Sequence, residues 1–223
     1  MRISVGIADD QLLFMKSLSA LIDTFPGFEV VMDGVNGEDL CRKLTLTASV
    51  PDILLLDVNM PVMDGPATAA FVAQRFPVIR MVALSMKDDE ISIIKMIRAG
   101  CCAYLSKDMH PAELEKALQE VARTGYYNAD GCHSSHVRTA ALKARLPEDK
   151  FTAREMEFLQ LACSDMTYKQ IASAMYLSER TIDGYRESLF EKFQVQSRVG
   201  MVMEGLRREL VDLCRQNNTD QIT

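Results

Sequence analysis

Ile53-Leu54-Leu55-Leu56-Asp57-Val58-Asn59-Met60-Pro61, running on to Asp64-Gly65, is the stretch on which the fold turns. Four apolar residues in succession leave no polar face for water, so a strand made of them must be covered on both sides. The run stops abruptly at an acid, and Pro61 and Gly65 mark a loop after it. A fully covered strand ending in a carboxylate is the pattern of a parallel sheet with chemistry at its carboxyl end.

The same alternation recurs on either side. Residues 3–8 form a short apolar run closed by Asp9-Asp10, and residues 12–22 have helical apolar spacing. Strand patterns occur at 28–32, 78–84 and 102–105, and helix patterns at 39–46, 67–75, 90–98 and 111–123. Five βα units of this length predict a doubly wound, five-stranded parallel sheet of the flavodoxin type. Ligands of such a fold bind outside the carboxyl ends of the strands.

From residue 125 the pattern fades, and no strand pattern returns after it. Residues 151–223 read as short helices at 153–162, 168–175, 179–193 and 198–213, with Thr152, Thr167 and Ser178 as N-caps. The expected organisation is an α/β domain over 1–124, a linker over 125–147 with one helical stretch near 137–144, and an all-α domain over 148–223.

Composition narrows the function. The chain has 223 residues, 25 Lys+Arg against 31 Asp+Glu and a net charge of −6, which excludes a simple basic nucleic-acid coat. No apolar run approaches the ~18 residues of a membrane span, and the opening residues lead into a strand rather than a signal peptide. The six cysteines form no CxxC pair, so reduced thiols in a cytoplasmic protein without a membrane partner are expected. Cys101-Cys102 reads as packing rather than redox chemistry. The methionines Met60, Met63 and Met86 read as adaptable core filler near the strand ends. Cys132, His133 and His136 look like a metal cluster on paper, but no distant ligand closes the site, so a linker with incidental polar residues is the reading.

The informative residues stand where strands end. Asp9 and Asp10 close the first strand, Asp57 the third and Ser85 the fourth, and Lys107 comes just after the fifth. A parallel sheet gathers these ends into one pocket. Three close carboxylates repel unless a cation joins them, and hard oxygen donors favour Mg²⁺. A carboxylate beside that ion can attack a phosphoryl group and become an acyl phosphate, with the hydroxyl and ammonium holding the phosphoryl oxygens.

With Asp9-Asp10, the run from Leu54 to Pro61 with Asp64-Gly65, Ser85, and Tyr104-Leu105-Ser106-Lys107-Asp108, the chain resembles the receiver domain of two-component response regulators over residues 2–124. The resemblance implies that Asp57 is the phosphoacceptor and that Asp10, Asp57 and the Asn59 carbonyl bind Mg²⁺, with Asp9 acting largely through water. It implies that Lys107 pairs with the phosphoryl group, and that Ser85 and Tyr104 move together; a core aromatic is the plain alternative for Tyr104. A phosphohydrolase of the haloacid-dehalogenase type also forms an aspartyl phosphate, but its nucleophile lies in a DxD pattern on the first strand. Here that strand ends Asp9-Asp10-Gln11. The expectation is therefore a phosphoryl acceptor and not an enzyme.

In the helical part, Phe151-Thr152-Ala153-Arg154-Glu155, Tyr168-Lys169-Gln170-Ile171-Ala172 and Leu177-Ser178-Glu179-Arg180-Thr181-Ile182 resemble the LuxR-type DNA-binding domain, and Lys192-Phe193-Gln194-Val195 with Ser197-Arg198 extend the match. With the receiver, the whole chain resembles a response regulator of the NarL/FixJ type. The resemblance implies a helix-turn-helix whose helix at 179–193 enters the major groove of double-stranded DNA.

On a helical wheel, Ile182, Tyr185, Leu189 and Phe193 form a buried stripe, opposite Arg180, Asp183, Gly184, Glu187, Ser188 and Glu191. In the family, base contacts come from the positions of Asp183, Gly184 and Glu187, where this chain places two acids. Thr181 lies on the same helix start, and Lys169, Arg180, Arg186, Lys192 and Arg198 would supply backbone contacts. On the last helix, Val199, Val202, Met203 and Leu206 share a stripe expected to close the core in part and to mediate homodimerisation of the active form.

The expected function is a transcriptional regulator phosphorylated on Asp57 by a sensor histidine kinase with Mg²⁺. The alternative is a phosphorylation-switched adaptor whose helix-turn-helix contacts a protein. The net charge divides as −5 over 1–124, +2 over 125–146 and −3 over 147–223. An acidic receiver explains most of it, and the rest centres on Asp183, Glu187 and Glu191.

Overall fold

The computed structural model describes residues 2–86, 90–128 and 151–211. The chain divides into two compact units, Met1–Tyr127 and Asn128–Thr223. The first is an α/β unit with strands β1 (Ile3–Ala8), β2 (Phe28–Gly34), β3 (Ile53–Asp57), β4 (Arg80–Ser85) and β5 (Cys101–Ser106). Its helices are α1 (Leu12–Ile22), α2 (Gly37–Leu46), α3 (Gly65–Arg75), α4 (Glu90–Arg98) and α5 (Pro111–Thr124). The sheet order is β2-β1-β3-β4-β5, and every pair is parallel. All five residues of β3 are buried, as an apolar run without alternation requires.

Several elements differ from the expected bounds by residues whose local chemistry explains the shift. Helix α2 starts at Gly37 because the Asn36 side chain accepts from the Asp39 N–H, and α3 starts at Gly65 because Asp64 accepts from the Ala67 N–H. Gly65 has no alternative: a Cβ there would lie 2.4 Å from the Asp57 carbonyl oxygen and 2.8 Å from Val58 Cα. The start of α3 is thereby pressed onto the end of β3. The α/β unit runs on to Tyr127, whose N–H donates to the Cys102 carbonyl at 3.3 Å and which bridges to Ala103.

One loop is strained. Val62 has φ +70°, and the Met63 N–H donates to the Pro61 carbonyl at 2.8 Å, a γ-turn centred on a β-branched residue. The turn sits between Asp57 and the start of α3, on the loop that carries Asn59. Met86, expected as core filler, is instead largely exposed on the loop after β4.

The second unit contains α6 (Ala153–Ala162), α7 (Tyr168–Ala174), α8 (Glu179–Phe193) and α9 (Arg198–Arg207). Thr152 with Glu155 and Thr167 with Gln170 form reciprocal capping boxes, and Ser178 and Ser197 cap α8 and α9. Phe158, fully buried, is flanked by the rings of Tyr168 and Tyr185 at 6.1 and 6.3 Å. Truncating a buried ring like this one costs ~3–5 kcal/mol. The last helix is shorter than the expected 198–213, since Glu209 adopts φ +56° just after it.

The linker helix near 137–144 and the Cys132, His133 and His136 cluster lie outside the described residues. Of the other cysteines, Cys102 donates through Sγ to the Met81 carbonyl at 3.3 Å, and burial pushes its thiol up to about 11. That is packing chemistry.

Candidate functional site

The carboxyl ends of β1, β3, β4 and β5 form one pocket. Asp9 and Asp57 are buried, at 0% and 4% exposure, and Asp10 faces solvent beside them. One carboxylate oxygen from each of Asp9, Asp10 and Asp57 lies within 4.8 Å of the others. Lys107 enters from the end of β5, its Nζ 2.6 Å from Asp9 Oδ2 and 3.1 Å from Asp57 Oδ2. Its side chain is almost wholly buried, and Nζ stands 4.8 Å from the centroid of the Phe14 ring. Sequence reasoning missed Phe14, because nothing in the spacing of α1 marks which apolar residue meets an ammonium.

Asp9 Oδ1 accepts from the Gln11 N–H at 2.8 Å, whereas Oδ2 has the ion pair to Lys107 but no aligned hydrogen bond. A buried carboxylate oxygen left in that state fits a cation site, as do the hard donors around it. Asp57 is held above the usual carboxylate range by burial, which outweighs the opposing pull of Lys107; the Asp9 charge adds to the rise. A bound divalent cation would offset the repulsion among the three carboxylates.

Ser85 is buried at the end of β4, and its carbonyl accepts from the Lys107 N–H at 2.8 Å. Asn59 is exposed in the loop after β3. Tyr104 is partly buried and packs against the core cluster that includes Ala83, Met96 and Cys101. Asp57, Asp9, Asp10 and Lys107 thus converge directly, with Ser85 tied to Lys107 through the backbone.

In the helical unit, the exposed side of α8 carries Arg180, Thr181, Asp183, Gly184 and Glu187, and Lys169 is exposed on α7. Thr181 donates its N–H to the capping Ser178 Oγ at 3.2 Å. Arg186 is half-buried, its Nη1 3.1 Å from Asp183 Oδ1 and its guanidinium 5.4 Å from the Tyr168 ring centroid.

Three expectations need correction. Arg198 is only 2% exposed: Nε donates to the Ala162 carbonyl and Nη2 to the Ser164 carbonyl, each at 3.0 Å. It braces α9 against the end of α6 and cannot reach a phosphate. Lys192 is bound to Glu155 at 2.7 and 2.8 Å, and Ser188 turns inward to the same carboxylate at 2.6 Å. Val199, Val202 and Met203 are buried and Leu206 half-buried, and α9 packs on α6 and α8. A dimer contact through these side chains would require them to leave that packing.

Sequence reasoning also missed Glu155 as a hub. Burial opposes its ionisation, yet the Lys192, Ser188 and Thr152 hydrogen bonds hold its carboxyl down at about 2. The Thr152-x-x-Glu155 spacing signals half of this arrangement, the capping box. The other half arrives from residues far along the chain.

No helix among the described residues is long and apolar enough to cross a membrane. Comparison with known proteins gives two family matches. Residues 5–119 match the response regulator receiver domain, and residues 149–204 match the bacterial regulatory proteins of the luxR family. The transcriptional regulatory protein DegU of Brevibacillus brevis is 30% identical, covering 92% of this chain and 94% of its own. The nitrate/nitrite response regulator protein NarL of Escherichia coli (strain K12) is 29% identical over 88% of this chain and 91% of its own. Among solved structures, the receiver domain of the putative response regulator NarL from Mycobacterium tuberculosis aligns with a TM-score of 0.51 at 27% identity. It covers 55% of this chain and 98% of that one. The Salmonella typhimurium RcsB response regulator, at 19% identity and a TM-score of 0.53 over 90% of this chain and 96% of that one, shares the fold.

Proposed function

We infer the chemistry of this chain from its family: it belongs to the two-component response regulators of the NarL/FixJ type, a receiver domain joined to a LuxR-type helix-turn-helix domain. It is a DNA-binding transcriptional regulator with a sensor histidine kinase as its upstream partner. It accepts a phosphoryl group rather than turning over a substrate. Asp9, Asp10 and Asp57 form its Mg²⁺ pocket. Our assignment places the receiver at 1–124, the linker at 125–147, whose first residues to Tyr127 still pack on β5, and the DNA-binding domain at 148–223.

Asp57 is our phosphoacceptor, and the observation that carries the assignment is its position. It ends β3 with a carboxylate oxygen within 4.8 Å of one from each of Asp9 and Asp10 and 3.1 Å from the Lys107 ammonium, and it keeps 4% exposure where Asp9 is sealed at 0%. One Asp57 oxygen attacks the phosphorus of a kinase phosphohistidine, a P–O bond forms, and the P–N bond breaks with its electron pair going to the imidazole. Asp9, Asp10, Asp57 and the Asn59 carbonyl would hold the Mg²⁺, which when bound would supply positive charge beside the transferring phosphoryl oxygens. Lys107 then exchanges a carboxylate partner for a phosphoryl oxygen, and Ser85 donates its hydroxyl to another. Tyr104 moves with Ser85 in our reading. Two copies on two half-sites are the active form we favour.

Labelling by radioactive acetyl phosphate in the presence of Mg²⁺ tests the pocket. The wild-type chain is expected to take up alkali-labile label and Asp57→Asn to take up none; undiminished labelling of the variant refutes Asp57. A salt series tests the other end, since a duplex binder loses affinity steeply as salt rises.

A further inference from the structure

The groove-facing side of α8 presents acceptors where a DNA-reading helix usually presents donors. Asp183 and Glu187 are exposed and one helical turn apart. Between them, a Cβ placed on Gly184 would meet nothing within 4 Å, so the helix surface has room at that position. A base edge can therefore come close to both acids.

The cations around this face are already committed. Arg186 lies 3.1 Å from Asp183 Oδ1 and stacks on Tyr168, Lys192 is bound to Glu155, and Arg198 is buried. The Arg186 contact fixes the Asp183 carboxylate and balances its charge, leaving Oδ2 as an acceptor. Glu187 carries no ion pair among the described residues. Exposed Lys169 and Arg180 remain to meet phosphates.

An ionised carboxylate accepts hydrogen bonds and donates none. In the major groove, guanine shows it two acceptors and thymine one acceptor and a methyl. Adenine pairs its N6 donor with the N7 acceptor, which repels a second carboxylate oxygen. Cytosine alone offers a donor, N4, with no acceptor of its own on that edge.

We propose that Asp183 and Glu187 are specificity determinants that select cytosine, each accepting from the N4 amino group of one cytosine in a half-site. The proposal rests on the DNA-binding reading above. One turn of helix places the two acids about 6 Å apart, against a rise of about 3.4 Å per base pair, so the two cytosines fall within about two base-pair steps.

Selection from a randomised duplex library by the full chain, treated with acetyl phosphate and Mg²⁺, tests it beside Asp183→Asn and Glu187→Ala. Wild type is expected to enrich sites with two cytosines at that fixed spacing. Asp183→Asn should exchange one of them for adenine, because an amide matches adenine N6 and N7 together. Glu187→Ala should lose its preference at the other. Replacing that second C·G pair should weaken wild-type binding about 5- to 150-fold and leave Glu187→Ala nearly unaffected. Enriched sites without the paired cytosines, or variants that choose the same bases as wild type, overturn cytosine selection while DNA binding stands. No enriched sequence from any of the three proteins overturns the DNA-binding reading along with it.

Discussion

Lys192 holds Glu155 across the helical unit, its Nζ 2.7 Å from Oε1 and 2.8 Å from Oε2, over a separation of 37 residues in the chain. The pair joins the start of α6 to the end of α8. Removing one partner leaves the other charge without its mate in a largely water-free place. With Lys192 24% exposed, Lys192→Met should cost about 2 kcal/mol, below the ~3–5 kcal/mol of a fully buried pair. Denaturant unfolding tracked by a helical signal checks it, and an unchanged midpoint would show that the pair contributes nothing.

The same carboxylate makes the helical unit acid-sensitive. Its folded pKa of about 2 lies below the ~4.3 of a free glutamate, so its contribution is complete above pH ~4.3 and falls away as pH drops toward 2. Wild type should lose stability over that window more steeply than Glu155→Gln, which has no proton to bind there. Parallel slopes for the two proteins would contradict the assignment.

Arg198 and Lys169 should separate cleanly in DNA binding. Arg198→Met leaves the Ala162 and Ser164 carbonyls without their donor, and a loss of ~2–4 kcal/mol in stability is expected with no change in salt dependence of binding by the folded fraction. Lys169→Ala and Arg180→Ala should do the reverse, each lowering the slope of log K against log salt by about 0.9 for every phosphate left without its cation.

Val62 is 78% exposed and strained, so it contributes little packing to offset its backbone. Val62→Gly should stabilise the receiver by up to ~1 kcal/mol, the gain in φ exceeding the entropy glycine adds to the unfolded chain. A rise in urea midpoint with unchanged m-value is the expected result; a fall would mean that the side chain has contacts that matter.

Lys107 competes for the oxygens that a divalent cation needs, standing between Asp9 and Asp57. Lys107→Ala should tighten Mg²⁺ binding at least ~5-fold in the unphosphorylated protein, because the carboxylates then face one cation instead of two. Calorimetric titration measures this directly, and weaker binding by the variant would show that Lys107 positions the acids rather than opposing the metal.

The receiver was readable because its signals are local. Uninterrupted apolar runs at Ile53 to Leu56 and Val82 to Leu84 state that both faces are covered, and acids at strand ends state where the pocket is. The caps at Thr152, Thr167 and Ser178 were readable for the same reason, since a cap is a contact three residues long. What escaped was contact at distance. Nothing near Arg198 says that its guanidinium meets two carbonyls from α6 and the turn after it, and nothing near Ser188 says that it faces Glu155 rather than DNA. A charged residue on an amphipathic helix looks the same in sequence whether it meets water, a phosphate or a buried partner.

The bond from the Lys107 N–H to the Ser85 carbonyl, 2.8 Å long, joins the two residues that flank Asp57. Whatever pulls the ammonium toward Asp57 therefore tugs on the backbone of β4, and whatever draws Ser85 inward carries the tip of β5 along. The ends of β4 and β5 are thus coupled through the backbone as well as through the pocket they share.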